Sequence, residues 1–557
     1  MGQTSWSKIY AGLLAGYFLI GVHYWQENLG GEGLLLPINV FGWIFISVLI
    51  CIGALQISAA KRLIVSRFWL QGLAGIGLML LPFLYQSNGQ WFSAVPRFLG
   101  LIAGWLFLLS LYQFFPDREH RRQVLLLVLL SVGIEAAFGL VQYYLLTPGN
   151  WLGYDAKQNL PYGIFQQPNV MATFMTTGVT LSLYLLLDLH GAEQKWYKST
   201  LCYSVAFAAS LVTLKLGSRT GLLTLLAGPA ILTLFFFKEK KQILVQWWLV
   251  LICAFLVGGA VPPLETGLQK TSQEISHGSP RLAIYRECLS MIRERPWVGW
   301  GYGDFPYQYL HHYSVSLKEG RAVPGSPENL LHPHNELLFW WVEGGIAPVL
   351  GIGLTIWAWL KNVSSRGWKQ GGELSVLFLP IWTHLMLEYP FYHSLAHWVV
   401  FLVLLWWVDE ECGSLAAKEF RYGFALRTLA IILSGITVVF MITTLRTTSL
   451  VVRYEKSKTI EHLRDLGQVV NPGPWGMQIQ AYGMINRFAQ ALMEKDRAGI
   501  ESYLSWAAKA ARQRPNRKLY ATMAEGYAAL GEKEKMNELI EQMKEYYPLP
   551  HGQKGQS

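Results

Sequence analysis

Stretches of about 17 to 25 mostly apolar residues, the length that carries an α-helix across a roughly 30 Å hydrocarbon core, recur through residues 9 to 447 of this 557-residue chain. About thirteen can be placed, centred near Tyr17, Ile46, Gly77, Leu106, Val132, Thr180, Phe207, Ala227, Phe255, Leu354, Trp382, Val403 and Gly435. Each reads as a helix, because a backbone amide or carbonyl left unpaired in lipid costs several kcal/mol. Only 15% of the residues are charged and 52% are hydrophobic, against roughly 25% charged in an ordinary soluble protein, which excludes a soluble globular fold. The first span has no convincing small-residue cleavage site after it and reads as an anchor. The expected fold is an all-α polytopic membrane protein with a membrane domain at 1–447, a large loop at 263–333 and a helical domain at 448–557.

The net charge of +10 invites a nucleic-acid partner until the charges are placed. Short loops on one side hold 18 Lys and Arg residues, from Lys8 to Arg427, whereas the opposite short loops hold only Lys157, Lys215 and Arg219 once Arg97 is set aside. Positive residues near span ends stay in the cytoplasm, so the N-terminus is expected there. Ten acids share that side and leave a net +8. The basic balance is thus a topology signal and calls for no nucleic acid. An odd number of spans then exports both the 263–333 loop and the C-terminal region. Cys288 is alone in that loop and the C-terminal region has no cysteine, so no intramolecular disulfide is expected to staple the exported parts.

With that orientation, the unusual polar clusters all fall on the outer face. They are Gln166-Gln167-Pro168-Asn169, Gly217-Ser218-Arg219-Thr220-Gly221, Ser279-Pro280-Arg281, His332-Pro333-His334-Asn335 and Glu388-Tyr389-Pro390. Their convergence predicts one site at the outer membrane–water boundary. Pro333 suits the first position of a helix, which puts His334 at the positive end of span ten, where anions bind and a neutral imidazole able to accept a proton is favoured. Arg219 and Arg281 are the natural anion ligands, since guanidinium bonds phosphate oxygens in a bidentate way and two of them could hold a diphosphate without a metal. The plainer alternatives are that His332 and His334 cap a helix or lie in the headgroup layer and that Arg219 snorkels to lipid. Arg281 could simply be solvated.

Other features read as structure. The outer-face acids and histidines have no metal-ligand spacing. Gly299-Trp300-Gly301-Tyr302-Gly303 reads as a tight turn, because no strand precedes it. Arg97 and Glu135 both fall within spans, where charges are costly, and an Arg97–Glu135 ion pair is expected. If Glu135 instead titrated during a cycle, the chain would be a carrier. Residues Pro515 to Pro548 carry the spacing of a tetratricopeptide hairpin, with Tyr520, Ala524, Tyr527, Ile540 and Met543 near the usual positions. Such a hairpin is either a small self-packed element or a docking surface for a partner protein.

Taken in order, Phe165-Gln166-Gln167-Pro168-Asn169, Ser218-Arg219-Thr220-Gly221, Arg281, the Gly299–Gly303 turn and His334-Asn335 with Gly345 downstream resemble the O-antigen ligase and polymerase superfamily. Within it, His332-Pro333-His334-Asn335-Glu336-Leu337-Leu338 with Glu388-Tyr389-Pro390 resembles the PglL-type protein O-oligosaccharyltransferases. The resemblance covers roughly residues 90 to 410 as ordered motifs. It implies a metal- and cofactor-independent inner-membrane glycosyltransferase of the GT-C type in a Gram-negative bacterium. Such an enzyme moves a glycan from undecaprenyl diphosphate to serine or threonine of exported proteins such as pilins. Carried over, His334 is the catalytic histidine and Arg219 and Arg281 are the diphosphate ligands, while Gln167, Asn169, His332, Asn335 and Tyr389 are further site residues. One departure stands out: the ligase pattern has a second glycine three positions after Gly345, where this chain has Pro348. The rival readings are a ligase acting on lipid A-core, an O-antigen polymerase and, from another class, a lipid or solute carrier.

Overall fold

The computed structural model describes residues 5–86, 90–189, 195–260, 280–321, 330–413 and 415–547. Ser279 and Pro548 lie outside the described residues, as does part of the 263–333 loop. Ten helices among the described residues are long and apolar enough to cross a membrane, and each falls on an expected centre. The other three centres fall on different structures. Tyr17 lies in α1 (Ser5–Leu19), of 15 residues. Trp382 lies in the second of two short helices, which Leu377 and Phe378 separate and whose first turn holds Pro380. Val403 lies in an 18-residue helix, Leu395–Cys412, whose last turn carries Asp409, Glu410 and Glu411.

The residues group into two compact units. One comprises 1–73, 101–271 and 355–452, and the other 74–100, 272–354 and 453–557. In the first, α1 is followed by α2 (Pro37–Ala60), the first half of α3 (Arg67–Leu80), the later two-thirds of α4 (Val95–Tyr112), α5 (Arg118–Leu145), α6 (Pro168–Asp188), α7 (Trp196–Leu216), α8 (Arg219–Phe236) and α9 (Lys241–Ala260), the rest of α3 and α4 belonging to the second. The span of α6 is buried on every side, which makes it the central element rather than an amphipathic surface helix. It packs against α5, α7, α8 and α9. Small residues set how closely: a Cβ on Gly178 would lie 2.4 Å from Val132, one on Gly221 2.8 Å from Ala172, and one on Gly228 2.6 Å from Thr180. Such small-residue contacts are how helices associate where lipid removes the hydrophobic driving force. The contacts Ala172–Gly221, Thr176–Thr224 and Thr180–Gly228 advance along both helices in the same direction. Helices α6 and α8 are therefore parallel, with their N-termini at one level.

At the opposite end of α6, the predicted cytoplasmic cations meet acids. Arg118 bonds Asp188 at 2.6 Å and Glu411 at 3.0 Å, and the buried Arg122 bonds Asp188 and Glu119, each at 2.8 Å. The chain also departs from an all-α fold. After α2 ends at Lys61 in the left-handed region, β1 (Arg62–Ser66) pairs antiparallel with β2 (Leu415–Glu419), Arg62 opposite Glu419 and Ser66 opposite Leu415. The Gln113 side chain covers the remaining edge of β1 through both backbone groups of Ile64, at 3.1 and 2.8 Å, which blunts a strand edge that would otherwise seek a partner.

The second unit contains α10 (Pro280–Glu294), α11 (Phe305–Lys318) and α12 (Glu336–Gly344), followed by α13 (Ile346–Ser364), whose first half belongs to it. In the remainder of the chain, α14 (Gly367–Val376), α15 (Leu379–Leu385), α16 (Pro390–His393), α17 (Leu395–Cys412) and α18 (Gly423–Ser457) lead to α19 (Ile460–Gly467), α20 (Gly476–Glu494), α21 (Arg497–Gln513), α22 (Arg517–Ala529) and α23 (Lys533–Tyr546). Phe488, Ile500, Tyr503, Leu504 and Met523 form one core of this unit. Tyr520, Tyr546 and Tyr547 form another, against which Leu310 of α11 packs. The expected C-terminal hairpin is thus present as α22 and α23, with Tyr520 and Ala524 buried. All five cysteines are free thiols.

Candidate active site

In the first unit the motif Gln166-Gln167-Pro168-Asn169 forms the start of α6. Gln167 is the N-cap, its Oε1 accepting the Val170 N–H at 2.8 Å, and Pro168 occupies the first turn, where its missing N–H costs nothing. The buried carboxylate of Glu388 gathers the cluster: it accepts from Gln167 Nε2 at 3.1 Å and Asn169 Nδ2 at 2.5 Å, and lies 3.1 Å from His384 Nε2. The other ring nitrogen of His384 lies 2.7 Å from Thr173 Oγ1. Tyr389 follows directly, its hydroxyl pushed up to about 12 by burial and by the nearby Glu32 and Glu388 carboxylates. Arg219 opens α8 one residue after Ser218, whose Oγ caps the helix by accepting the Gly221 N–H at 3.2 Å. Because α6 and α8 run parallel in register, Arg219 and Asn169 start neighbouring helices at the same level. Arg219 is exposed. Lys215 is committed elsewhere, donating to the Gly258 carbonyl at 2.6 Å and lying over the Tyr143 ring.

The turn before this motif is held by α5. Glu135 Oε2 accepts the Ile164 N–H at 3.2 Å and Gln142 Oε1 accepts the Gly163 N–H at 2.7 Å. Gly163 has φ +62°, and a Cβ there would lie 2.6 Å from Glu135 Oε2, so the clamp requires glycine. The partner of Glu135 is His23, 2.6 Å from Nδ1 to Oε1. This corrects the expected Arg97–Glu135 pair, which an apolar reading of single spans could not resolve.

Arg97 belongs to the second unit and pairs with Glu343 at 2.5 Å. Its guanidinium is enclosed by the rings of Trp340, Phe339, Tyr302 and Phe98 at 4.3 to 5.5 Å. Glu343 Oε1 also accepts the N–H groups of Gly303 and Phe305. The Gly299–Gly303 segment is the tight turn expected. Its Trp300 and Gly301 N–H groups reach the Val342 and Glu343 carbonyls at 2.8 and 2.9 Å, two groups that the end of α12 leaves without a partner inside the helix. A Cβ on Gly345 would lie 2.3 Å from the Trp297 carbonyl oxygen, and its φ of +70° is open to glycine at little cost.

This turn and ion pair hold the C-terminal end of α12, and the histidine segment forms its N-terminal end. The structure corrects the expected helix start. Asn335 is the N-cap, its Oδ1 accepting the Leu338 N–H at 3.0 Å, and the helix begins at Glu336. Pro333 and His334 therefore precede it, and α12 is a nine-residue helix separated from the spanning α13 by Gly345. His334 takes φ +60°, which non-glycine residues seldom adopt. It is fixed from both sides: its N–H donates to His332 Nδ1 at 2.9 Å and its carbonyl accepts the Tyr285 hydroxyl at 2.9 Å. Burial, then the neighbouring His334 and Arg97, hold the pKa of His332 well below the ordinary histidine value, which keeps its ring neutral and able to accept that N–H. Arg281 lies one helical turn before Tyr285 on α10, on the same face.

The residues singled out from sequence thus converge in two groups. Gln167, Asn169, Tyr389 and Arg219 lie together in the first unit, and His332, His334, Asn335 and Arg281 in the second. His384, Thr173 and Tyr285 were not foreseen; the four-residue spacings His384–Glu388, Asn169–Thr173 and Arg281–Tyr285 were the available signal. Among the described residues no three His, Cys, Asp or Glu side chains are grouped as a metal site would require.

Comparison with known proteins agrees with the motifs. Residues 204–358 match the family described as O-Antigen ligase, residues 374–556 the one described as Virulence factor membrane-bound polymerase, C-terminal, and residues 161–186 the one described as Protein glycosylation ligase. The chain is 25% identical over 354 residues to the General O-oligosaccharyltransferase of Acinetobacter baylyi, covering 58% of this chain and 59% of that protein. It is also 25% identical over 281 residues to an uncharacterized protein of Haemophilus influenzae, covering 46% of this chain and 64% of that protein. It therefore spans about six-tenths of the length of these relatives.

Proposed function

We propose that this chain, similar to the PglL-type protein O-oligosaccharyltransferases of the O-antigen ligase and polymerase superfamily, moves a glycan from undecaprenyl diphosphate to Ser or Thr hydroxyls of exported proteins such as pilins. In this reading it acts at the periplasmic face of a Gram-negative inner membrane, without a metal. The membrane domain is 1–447 and the helical domain 448–557 is exported.

The observation that carries the reading is the backbone of His334. A non-glycine residue at φ +60°, pinned through both its amide and its carbonyl, costs of order 1–3 kcal/mol and persists only where the surroundings over-determine it. Such strain at a histidine beside a helix N-terminus favours a positioned reacting group over a simple cap, since Asn335 already does the capping.

The chemistry follows from the residue types. A hydroxyl is a poor nucleophile, so His334 accepts its proton as the oxygen attacks the anomeric carbon. The new bond joins that carbon to the acceptor oxygen while the bond to the diphosphate oxygen breaks. The diphosphate leaves with the electron pair, and direct displacement inverts the anomeric centre. Arg219 and Arg281 hold the departing diphosphate, and the N-termini of α8 and α10 add partial positive charge beside them. In this reading Gln167 and Asn169, which donate to Glu388, and Tyr389 are further site residues.

The match of residues 374–556 to a membrane-bound polymerase family favours a second reading, in which the acceptor is another saccharide. One experiment separates the two. The protein is co-expressed with a lipid-linked glycan pathway and a candidate pilin, and pilin mass is measured. A glycan-sized shift that vanishes in His334→Ala at equal membrane levels supports the proposal, while transfer that survives in that variant ends the role of His334. A shift on lipid A-core, or longer glycan chains with unmodified pilin, moves the acceptor to the ligase or polymerase reading.

A further inference from the structure

We infer that His23 and Glu135 are a positioning pair for the transfer site: a single proton held between them keeps the Glu135 carboxyl on the Ile164 N–H, and that bond sets where Gln167 and Asn169 stand. This rests on reading the chain as a transferase whose site includes those two residues.

The hydrogen count follows from the partners. His23 closes the turn Gly21–His23 after α1. Its Nε2 lies 3.1 Å from the Phe18 carbonyl oxygen, which can only accept, so Nε2 carries a hydrogen. Its Nδ1 lies 2.6 Å from Glu135 Oε1, a contact that needs one hydrogen between the two atoms. That hydrogen belongs either to an imidazolium facing a carboxylate or to a carboxylic acid facing a neutral ring. Either way the pair has no net charge, which offsets the cost of burying Glu135, 1% exposed, within a span. In both forms Oε2 keeps a lone pair for the Ile164 N–H, 3.2 Å away.

That second oxygen makes the pair a lever on the site. Glu135 and Gln142 lie two helical turns apart on one face of α5. Gln142 holds Gly163 by both backbone groups, its Oε1 accepting the N–H at 2.7 Å and its Nε2 donating to the carbonyl at 3.2 Å, and Glu135 holds the next N–H. Ile164 and Gln167 are three residues apart, so their Cα atoms are at most about 11 Å apart, and Gln166 between them takes φ +58°. A shift at Ile164 therefore reaches the two amides that meet Glu388. A buried ion pair adds little net stability over apolar residues of similar volume. Losing the acceptor of the buried Ile164 N–H, by contrast, leaves a donor unpaired.

The test compares full-length wild type in detergent with two variants, by melting temperature, by transfer to pilin and by hydrogen exchange of the peptide spanning 160–168. Glu135→Gln reproduces the bonds without the shared proton, since an amide oxygen accepts the Ile164 N–H while the amide nitrogen donates to Nδ1 of a neutral His23. Its transfer and exchange are expected to stay within about two-fold of wild type. The His23→Leu/Glu135→Met variant removes the pair and the acceptor together. It should melt at or above the wild-type temperature, exchange roughly ten-fold faster over that peptide and lose at least about ten-fold in kcat. Loss of transfer in Glu135→Gln at wild-type stability overturns the inference, because it marks a group that must titrate. A double variant whose melting temperature falls together with its activity also overturns it, as the mark of an ordinary structural pair. If pilin is glycosylated equally by wild type and the double variant, the positioning role falls while the transfer reading stands. If the peptide loosens in the double variant and no protein is ever glycosylated, the clamp stands and the transfer reading falls.

Discussion

The Arg97–Glu343 pair offers the sharpest test of how the histidine segment is held. Replacing Arg97 with Met keeps an unbranched chain among the four rings and removes the charge. Glu343, whose side chain is 2% exposed, is then left with only the Gly303 and Phe305 N–H groups. Removing one partner of a buried pair costs about 3–5 kcal/mol, because the remaining charge is uncompensated. A unit of about two hundred residues loses 2–4 °C per kcal/mol, so the melting temperature should fall by roughly 6–20 °C. The double variant Arg97→Met/Glu343→Gln should recover much of that loss, since a neutral amide oxygen can accept the same two N–H groups without a stranded charge. Melts of detergent-solubilised protein, followed by tryptophan fluorescence, measure all three variants. A fall of less than about 2 °C in Arg97→Met, or no recovery in the double variant, would refute the assignment of this pair as the clamp on α12.

Two further outcomes follow from the same geometry. Both ring nitrogens of His312 are matched by carboxylates, Glu287 at 2.5 Å and Glu294 at 2.8 Å. Burial alone would lower its pKa, but the two carboxylates raise it above the ordinary 6.5. Its stabilisation is then complete below that value and lost as pH climbs through the raised one, so the melting temperature should decline over that interval and the decline should flatten in His312→Gln; an equal slope in both proteins would contradict it. Glu388→Gln leaves one acceptor oxygen for the donors that now share a carboxylate, and hydrogen bonds to a charged group are worth about 1.5–3 kcal/mol. Transfer measured in membranes should drop at least about ten-fold at normal protein levels, and unchanged transfer would show that this carboxylate does not organise Gln167 and Asn169.

Much of this was legible from the chain, for definable reasons. Apolar length fixes spans because the bilayer imposes one length on every crossing segment, and ten helices fall where that rule places them. The motifs marked Gln167, Asn169, Arg219, His332 and His334 because such residues are costly so near lipid. Partners were not legible. Arg97 and Glu343 are 246 residues apart, and His23 and Glu135 are 112 apart; no periodicity encodes which buried acid meets which buried base. The start of α12 was misplaced because Pro333 satisfies a local rule that the left-handed turn at His334 overrides. The β1–β2 pair was missed because five residues between spans carry too little alternation to read as a strand.

That small sheet has a consequence in time. Arg62 meets Glu419, Asn39 bonds the His393 carbonyl and Gln26 bonds the Leu445 carbonyl, so the first two helices are closed by some of the last spans to be made. At ~5–20 residues per second of synthesis, roughly 20–70 s separate the emergence of β1 from that of β2. During that interval the N-terminal helices stand in the membrane with polar side chains and a strand edge awaiting partners. A chain truncated before residue 415 should therefore be degraded as an unfinished one, even though all of the histidine segment has been synthesised.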